Sequence, residues 1–272
     1  MNLTENDPAR PVRLAVRGLS KTYGSGSTAN RVLVDITLDV HQGEFICLVG
    51  PSGAGKTTLL RCLTSLMPPT SGTVALDGKV LNGPSEHISI VFQEYTRSLL
   101  PWMTVEANIA LPLQARGMSR KEAVAQVEPL LRSVGLPGTG RKYPWQLSGG
   151  MQQRVAIARA LITEPEVLVM DEPFASIDAQ TRLELEDLTR TLQQERNMTV
   201  VLVTHDIDEA VYLADRIVVL SKNPATVQEI VDVGLGDTRD QITTREDHRF
   251  AELRSHILGQ IRAAQIRGAV RV

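Results

Sequence analysis

Gly50-Pro-Ser-Gly-Ala-Gly-Lys-Thr-Thr58, preceded by the apolar run Phe45-Ile-Cys-Leu-Val49, restricts what this chain can fold into more than any other stretch of it. Gly50, Gly55, Lys56 and Thr57 match the spacing G-x-x-x-x-G-K-S/T, which requires a strand before it and a helix after it. Glycines let successive backbone N–H groups close around phosphate oxygens where a Cβ would obstruct the approach. Gly50, Pro51, Ser52, Gly53, Ala54 and Gly55 form the expected cradle. Lys56 can reach the β- and γ-phosphates as a point charge, while the helix running on through Thr57 and Thr58 aims the positive end of its dipole at the same anion. The Thr57 hydroxyl is suited to Mg2+. A Gly-rich turn without a ligand is the bland alternative, and the order of strand, loop and helix favours a nucleoside triphosphate site over it.

The strand feeding this loop needs neighbours, and the chain supplies them. Residues 12–16 alternate as a half-buried strand should, and 31–34 with 36–40 give a second strand region beyond a flexible loop at 24–28. A helix over 57–66 stops at Pro68-Pro69. Residues 72–76, the turn Asp77-Gly78 and residues 79–81 read as a β-hairpin, and 88–92 as a strand ending on Gln93. From Glu94 to about Leu161 the spacing is helical, over 103–111, 120–134 and 151–162, with Pro- and Gly-containing breaks between. Strand character returns at 166–170, 199–203 and 216–220, with helices over 179–197 and 207–214. Val/Ile/Leu strands alternating with helices describe a parallel sheet covered on both faces. The expected fold is α/β, with a mainly parallel sheet, an antiparallel β subdomain and an α-helical insertion of about 94–162. The nucleotide-binding domain is expected over 1–220 and a short C-terminal extension over 221–272.

Composition enters as a filter. With 272 residues and 42% hydrophobic content there is ample core, and a net charge of -2 gives no global basic field that would point to nucleic acid. Cys47 and Cys62 fall on expected core positions and read as small hydrophobes in a reducing compartment. Met1 to Pro11 lacks an apolar core of the kind a signal peptide needs, and no uncharged apolar run nears the ~18 residues of a membrane span. A soluble, cytoplasmic protein is expected, with any membrane role borrowed from a partner.

Four further sites carry chemistry. Val167-Leu-Val-Met-Asp171-Glu172 ends an apolar strand in two acids, a costly place for carboxylates unless cations or hydrogen bonds await them. Asp171 suits Mg2+, and Glu172 suits proton abstraction from an attacking water, against the alternative of a helix-capping pair. Ser148-Gly149-Gly150 precedes a helix and offers either a second anion site or only a cap. Tyr23 stands at a loop edge, where it is either a base-stacking ring or a plain surface tyrosine. His205 ends a strand; His41, His87, His248 and His256 show no metal-ligand spacing.

Leu147-Ser-Gly-Gly-Met-Gln-Gln-Arg154, together with the phosphate loop, Val167 to Phe174 and Val203-Thr-His205-Asp206, resembles the ATP-binding-cassette ATPases, over roughly residues 12–220. The resemblance implies a P-loop NTPase core, ATP and Mg2+ as ligands, and two cassettes packed head to tail. Ser148, Gly149 and Gly150 of one copy would then meet the γ-phosphate held by the other. It further implies that Tyr23 stacks on adenine, that Gln93 senses Mg2+ and the attacking water, that Asp178 is the acid of the loop after the acid pair, and that His205 is the γ-phosphate switch. The segment Ala175-Ser-Ile-Asp178 departs from the usual S-A-L-D and keeps the acid.

Asp171-Glu-Pro-Phe174 and Ser148-Gly-Gly-Met-Gln-Gln-Arg154 resemble the ATPases of bacterial importers, and Gln93 followed by Leu99-Leu-Pro101-Trp102, with Thr204-His-Asp-Ile-Asp-Glu-Ala-Val-Tyr-Leu-Ala-Asp215, is similar to the nitrate/sulfonate/taurine branch, which also takes up thiamine-precursor pyrimidines. That branch implies an ATPase for a small anionic or heterocyclic solute, peripheral on the cytoplasmic face of the membrane. Its partners would be a polytopic permease, a second ATPase copy and, indirectly, an extracytoplasmic solute-binding protein. Residues 99–102 are expected to line a groove for a helix of the permease. Alternatives are a lipoprotein-release or export ATPase, and a soluble ATP-gated clamp on DNA or ribosomes, which would need a long coiled coil or tandem cassettes. A GTPase or small-molecule kinase would leave the Ser148-Gly149-Gly150 motif without a purpose. The tail residues Phe250, Leu253, Ile257, Ile261 and Ala264 fall at helical spacing and predict an amphipathic helix.

Overall fold

The computed structural model describes residues 10–93, 98–175 and 177–269, leaving aside the side chains of 27 and 266–269. The chain forms two units, one from Met1–Ser85 with Thr199–Val272 and one from Glu86–Met198.

In the first unit, β1 (Val12–Tyr23) and β2 (Asn30–His41) pair antiparallel from Val12↔His41 to Tyr23↔Asn30. The expected strand over 12–16 is thus the start of a longer one: pairing with β2 carries it on to Tyr23 through irregularities around Leu19 and Lys21, where the alternation is blurred. A short 3-10 turn, Gly26–Thr28, lies within the expected loop. β3 (Phe45–Val49) is buried at every residue and runs into the phosphate loop and α1 (Lys56–Leu63). Cys47 and Cys62 are buried and not joined in a disulfide, and burial pushes the Cys62 thiol above its ordinary value, so both behave as core side chains. β4 (Ser71–Leu76) and β5 (Lys79–Val80) form the hairpin, giving an antiparallel sheet in the order β2-β1-β4-β5.

In the second unit, β6 (Ile88–Val91) and β7 (Val167–Asp171) pair parallel, from Ile88↔Val167 to Val91↔Met170. Between them come α2 (Val105–Ala115), α3 (Arg120–Ala125), α4 (Val127–Ser133) and α5 (Gly149–Leu161), and α6 (Ala179–Glu195) follows β7. The single helix expected over 120–134 is two. Pro129 has no N–H to donate to the carbonyl four residues back, and its ring crowds that turn, so the ladder breaks at Gln126. Ser119 and Glu122 close a capping box on α3 that fixes where the first of the pair begins. The helical character expected from Glu94 begins on residues outside the description.

The first unit then resumes with β8 (Thr199–Val203), α7 (Ile207–Leu213), β9 (Arg216–Leu220), β10 (Val227–Asp232), α8 (Thr243–Glu246) and α9 (His248–Ala269). β3 lies between β8 and β9 and is parallel to both, at Phe45↔Val200 and Ile46↔Arg216. These three strands are near-continuous apolar runs because both faces are covered. β10 pairs antiparallel with β9. α9 packs on α7 and β9 through Phe250, Leu253 and Ile257, which are 3%, 5% and 0% exposed, and burial of such side chains contributes about 1.5–3 kcal/mol each. Ala264 is also buried, while Ile261 is half-buried. Among the described residues no helix is long and apolar enough to cross a membrane.

Candidate active site

The phosphate loop is shaped by backbone first. Gly55 caps α1 in the left-handed region (φ 77), and a Cβ there would stand 2.7 Å from Val32 Cγ1, so conformation and space both demand glycine. Ala54 N donates to Pro51 O at 3.1 Å, closing the bend. Lys56 is only 7% exposed, and its ammonium donates to the carbonyls of Gly50 (2.9 Å) and Pro51 (3.3 Å). An oxygen of an anionic phosphate is a stronger acceptor for this ammonium than either neutral carbonyl. Tyr23 ends β1 beside the start of α1: its hydroxyl donates to Met67 Sδ at 3.1 Å and lies 3.4 Å from Thr58 Oγ1. The ring is 39% exposed, with the Lys21 ammonium 5.6 Å from its centroid.

His205 is exposed at the end of β8, on backbone held from both sides. Thr204 Oγ1 accepts from Asp206 N at 3.0 Å and donates to Glu209 Oε2 at 2.7 Å, with Thr204 1% and Glu209 4% exposed. Asp206 caps α7, accepting from the N–H groups of Asp208 and Glu209. The sequence motifs include Thr204, Asp206 and Glu209 but assign none of them a role. An acid at the head of a helix was the signal available for Asp206, and the buried pairing of Thr204 with Glu209 had none.

In the second unit the acid pair is split by burial. Asp171 ends β7 at 7% exposure, whereas Glu172 turns out of the strand with φ 45, a left-handed conformation that costs a non-glycine residue about 1–3 kcal/mol. Its carboxylate accepts from Gln93 Nε2 at 3.1 Å. Gln93 and Glu172 thus meet across 79 positions of sequence, and the Gln93 carbonyl oxygen keeps its acceptor capacity. Asp178 caps α6, accepting from Thr181 N at 3.0 Å. Hydrogen bonds from the Thr181 backbone and hydroxyl hold its carboxyl below the usual range, so the cap keeps its charge until the pH falls through that lowered value.

Ser148 caps α5 through a hydrogen bond from Met151 N to its Oγ (3.3 Å). That bond uses a lone pair and leaves the hydroxyl proton for an anion, so cap and anion donor are compatible roles. Gly149 and Gly150 form the first turn of α5. A Cβ on Gly150 would stand 2.3 Å from Thr181 Cγ2, so α5 and α6 pack here with no room for a side chain. The expected docking turn is only partly a surface. Leu99 is 1% exposed and belongs to the core, because Asn108 accepts from Leu100 N (2.8 Å) and donates to Leu100 O (3.0 Å), folding the segment inward. Pro101 and Trp102 are the exposed residues of the four, Trp102 at 72%.

Among the described residues no group of three or more His, Cys, Asp or Glu could cage a metal. Mg2+ needs no such cage, since phosphates and waters supply most of its octahedron. Hard oxygens suit that ion, and Thr57 in the first unit and Asp171 and Gln93 in the second each carry one.

A family model described as ABC transporter matches residues 33–175. The aliphatic sulfonates import ATP-binding protein SsuB of Bacillus licheniformis is 41% identical over 93% of this chain and 95% of its own length. The nitrate import ATP-binding protein NrtD of Synechococcus elongatus is 44% identical over 88% of each. Among solved structures, a dimeric ATP-binding cassette in a post-hydrolysis state bound to ADP and Pi superposes with a TM-score of 0.70 at 33% identity, covering 81% of this chain and 98% of that one.

Proposed function

This chain belongs to the ABC transporter family, and we propose that it is the ATP-hydrolysing subunit that energises a membrane importer for a small anionic solute. The observation that carries this reading is the 41% and 44% identity, over about nine tenths of the chain, to ATP-binding proteins of sulfonate and nitrate import. Sulfonates and nitrate share a compact oxyanion, and that is the solute class we assign. The partners in this reading are a permease, a second copy of the chain and, on the far side, a solute-binding protein, with the subunit on the cytoplasmic face of the membrane.

The residues divide the work. Backbone N–H groups of the loop from Gly53 to Thr57 cradle the triphosphate, Lys56 exchanges its two carbonyls for phosphate oxygens, and Tyr23 stacks on adenine. Thr57, Asp171 and Gln93 would hold Mg2+, which on binding with ATP neutralises charge on the β- and γ-phosphates. Glu172 accepts a proton as the water oxygen bonds to the γ-phosphorus and the bond from that phosphorus to the bridging oxygen breaks, leaving ADP with the electron pair. Gln93 holds the Glu172 carboxylate through the 3.1 Å hydrogen bond. The γ-phosphate is closed off by Ser148 of the partner subunit, and His205 reads its presence.

Direction is the decisive test. In vesicles carrying the permease and this subunit, solute should move toward the compartment that contains both the subunit and ATP; movement away from it would make the system an exporter. Trp102→Asp should lower that uptake at least tenfold, while the purified subunit keeps its ATP turnover, because the exposed indole serves the permease contact. Full uptake by the variant would move the contact off this turn.

A further inference from the structure

We propose that Lys222 is a second cation of the triphosphate site, binding the nucleotide's phosphates alongside Lys56. The proposal rests on the reading that residues 50–58 hold those phosphates. β9 runs beside β3, with Val49 opposite Val219, so the turn leaving β9 emerges next to the phosphate loop. A Cβ on Gly50 would stand 3.0 Å from Leu220 O. Two residues on, the Lys222 side chain lies over Gly53: its Cε and Nζ are 3.6 and 3.7 Å from where a Gly53 Cβ would be. The bare glycine leaves room for the lysine stem.

The turn that carries Lys222 is fixed. Ser221 N donates to Thr226 O at 3.0 Å, and Thr226 N to Ser221 Oγ at 2.9 Å. Ala225 is tied to β2 through Ala225 N to Val32 O and Val34 N to Ala225 O, both 2.9 Å. Val32 is also the residue a Gly55 Cβ would strike, so one stretch of β2 backs both the phosphate loop and the turn. Lys222 is half-buried, and among the described residues its ammonium has no hydrogen-bond or ion-pair partner. Ser221, Asn223, Pro224, Ala225 and Thr226 offer no carboxylate to neutralise it. An unpaired ammonium carried on a fixed turn, 3.7 Å from the Cβ position of the loop's central glycine, is a cation placed for a phosphate. An ion of this kind strengthens with the number of phosphate charges and weakens with salt.

Lys222→Met keeps the stem over Gly53 and removes the charge. In calorimetric titrations with ATP and with ADP, it should raise Kd about five- to tenfold at low salt, the scale of one partly exposed charge-assisted contact. Raising the salt tenfold should narrow the gap, and Lys222→Arg should stay near the parent. A merely structural lysine would give a defect indifferent to salt, which would overturn the proposal. Lys56→Ala is the control: if it binds ATP as the parent does, the site reading itself fails. If it loses binding while Lys222→Met matches the parent at both salt concentrations, only the role of Lys222 is refuted.

Discussion

Glu172→Gln should bind ATP, stop hydrolysing it, and lower turnover of the purified subunit by about 10²–10⁴-fold, the range that positioned general bases supply. The substitution keeps side-chain length and an acceptor oxygen, so the hydrogen bond from Gln93 Nε2 survives and the left-handed backbone at this position is unchanged. What disappears is the ability to take a proton from water. ATP-loaded chains should therefore accumulate as the closed dimer. Size-exclusion chromatography should show the variant as monomer without nucleotide and as dimer with Mg-ATP. Adding Ser148→Arg should return it to monomer, by crowding the phosphate that the partner copy holds. Full turnover by Glu172→Gln would remove it as the base, and a double variant that still dimerised would remove Ser148 from the interface.

The parts of the fold legible in the sequence are those where one local signal decides. Phe45–Val49 is a strand because five apolar residues run into a glycine loop, and Val227–Asp232 was missed because no comparable run exists there. β10 carries Gln228, Glu229 and Asp232, and those polar groups are intelligible only once α9 is in place: Glu229 meets His256 at 2.9 Å and Gln228 meets Gln260. The same limit applies to the site. Gly50 to Thr58 announces itself by spacing, but nothing near Thr204 says that its hydroxyl will be buried against Glu209, or that this pair will fix the backbone under His205. Leu99 shows the converse failure. Its apolar neighbourhood read as a contact surface, and the deciding fact was the Asn108 side chain, which ties Leu100 back and turns Leu99 into core. Pro129 was a visible candidate for a break, since it removes one bond of the helix ladder, but Pro112 sits inside α2 without dividing it, so a proline alone did not decide where the helix would end.

Gly150→Ala should lower ATP turnover by about a hundredfold, and Thr181→Ala should restore most of it. The backbone of Gly150 is helical, so alanine is tolerated there and would ordinarily gain about 0.5–1 kcal/mol over glycine in a helix. The obstacle is the neighbour: the new methyl would lie 2.3 Å from Thr181 Cγ2, and the start of α5 must move away from α6 by something approaching an ångström. Ser148, Gly149 and Gly150 act, in the reading above, by presenting one hydroxyl and first-turn N–H groups to a phosphate, and a misplacement of about 1 Å in such a site costs on the order of 10²-fold. With Thr181→Ala the Cγ2 is gone and the next atom, Cβ, lies at 3.6 Å, an ordinary contact. The Thr181 N–H that caps Asp178 remains, although the hydroxyl's share in holding the Asp178 carboxyl low is lost. The double variant should therefore regain turnover and melt at or above the temperature of the parent. Were it as slow as Gly150→Ala alone, close packing against α6 would not be the reason this position is glycine, and direct approach of the phosphate to its bare backbone would be.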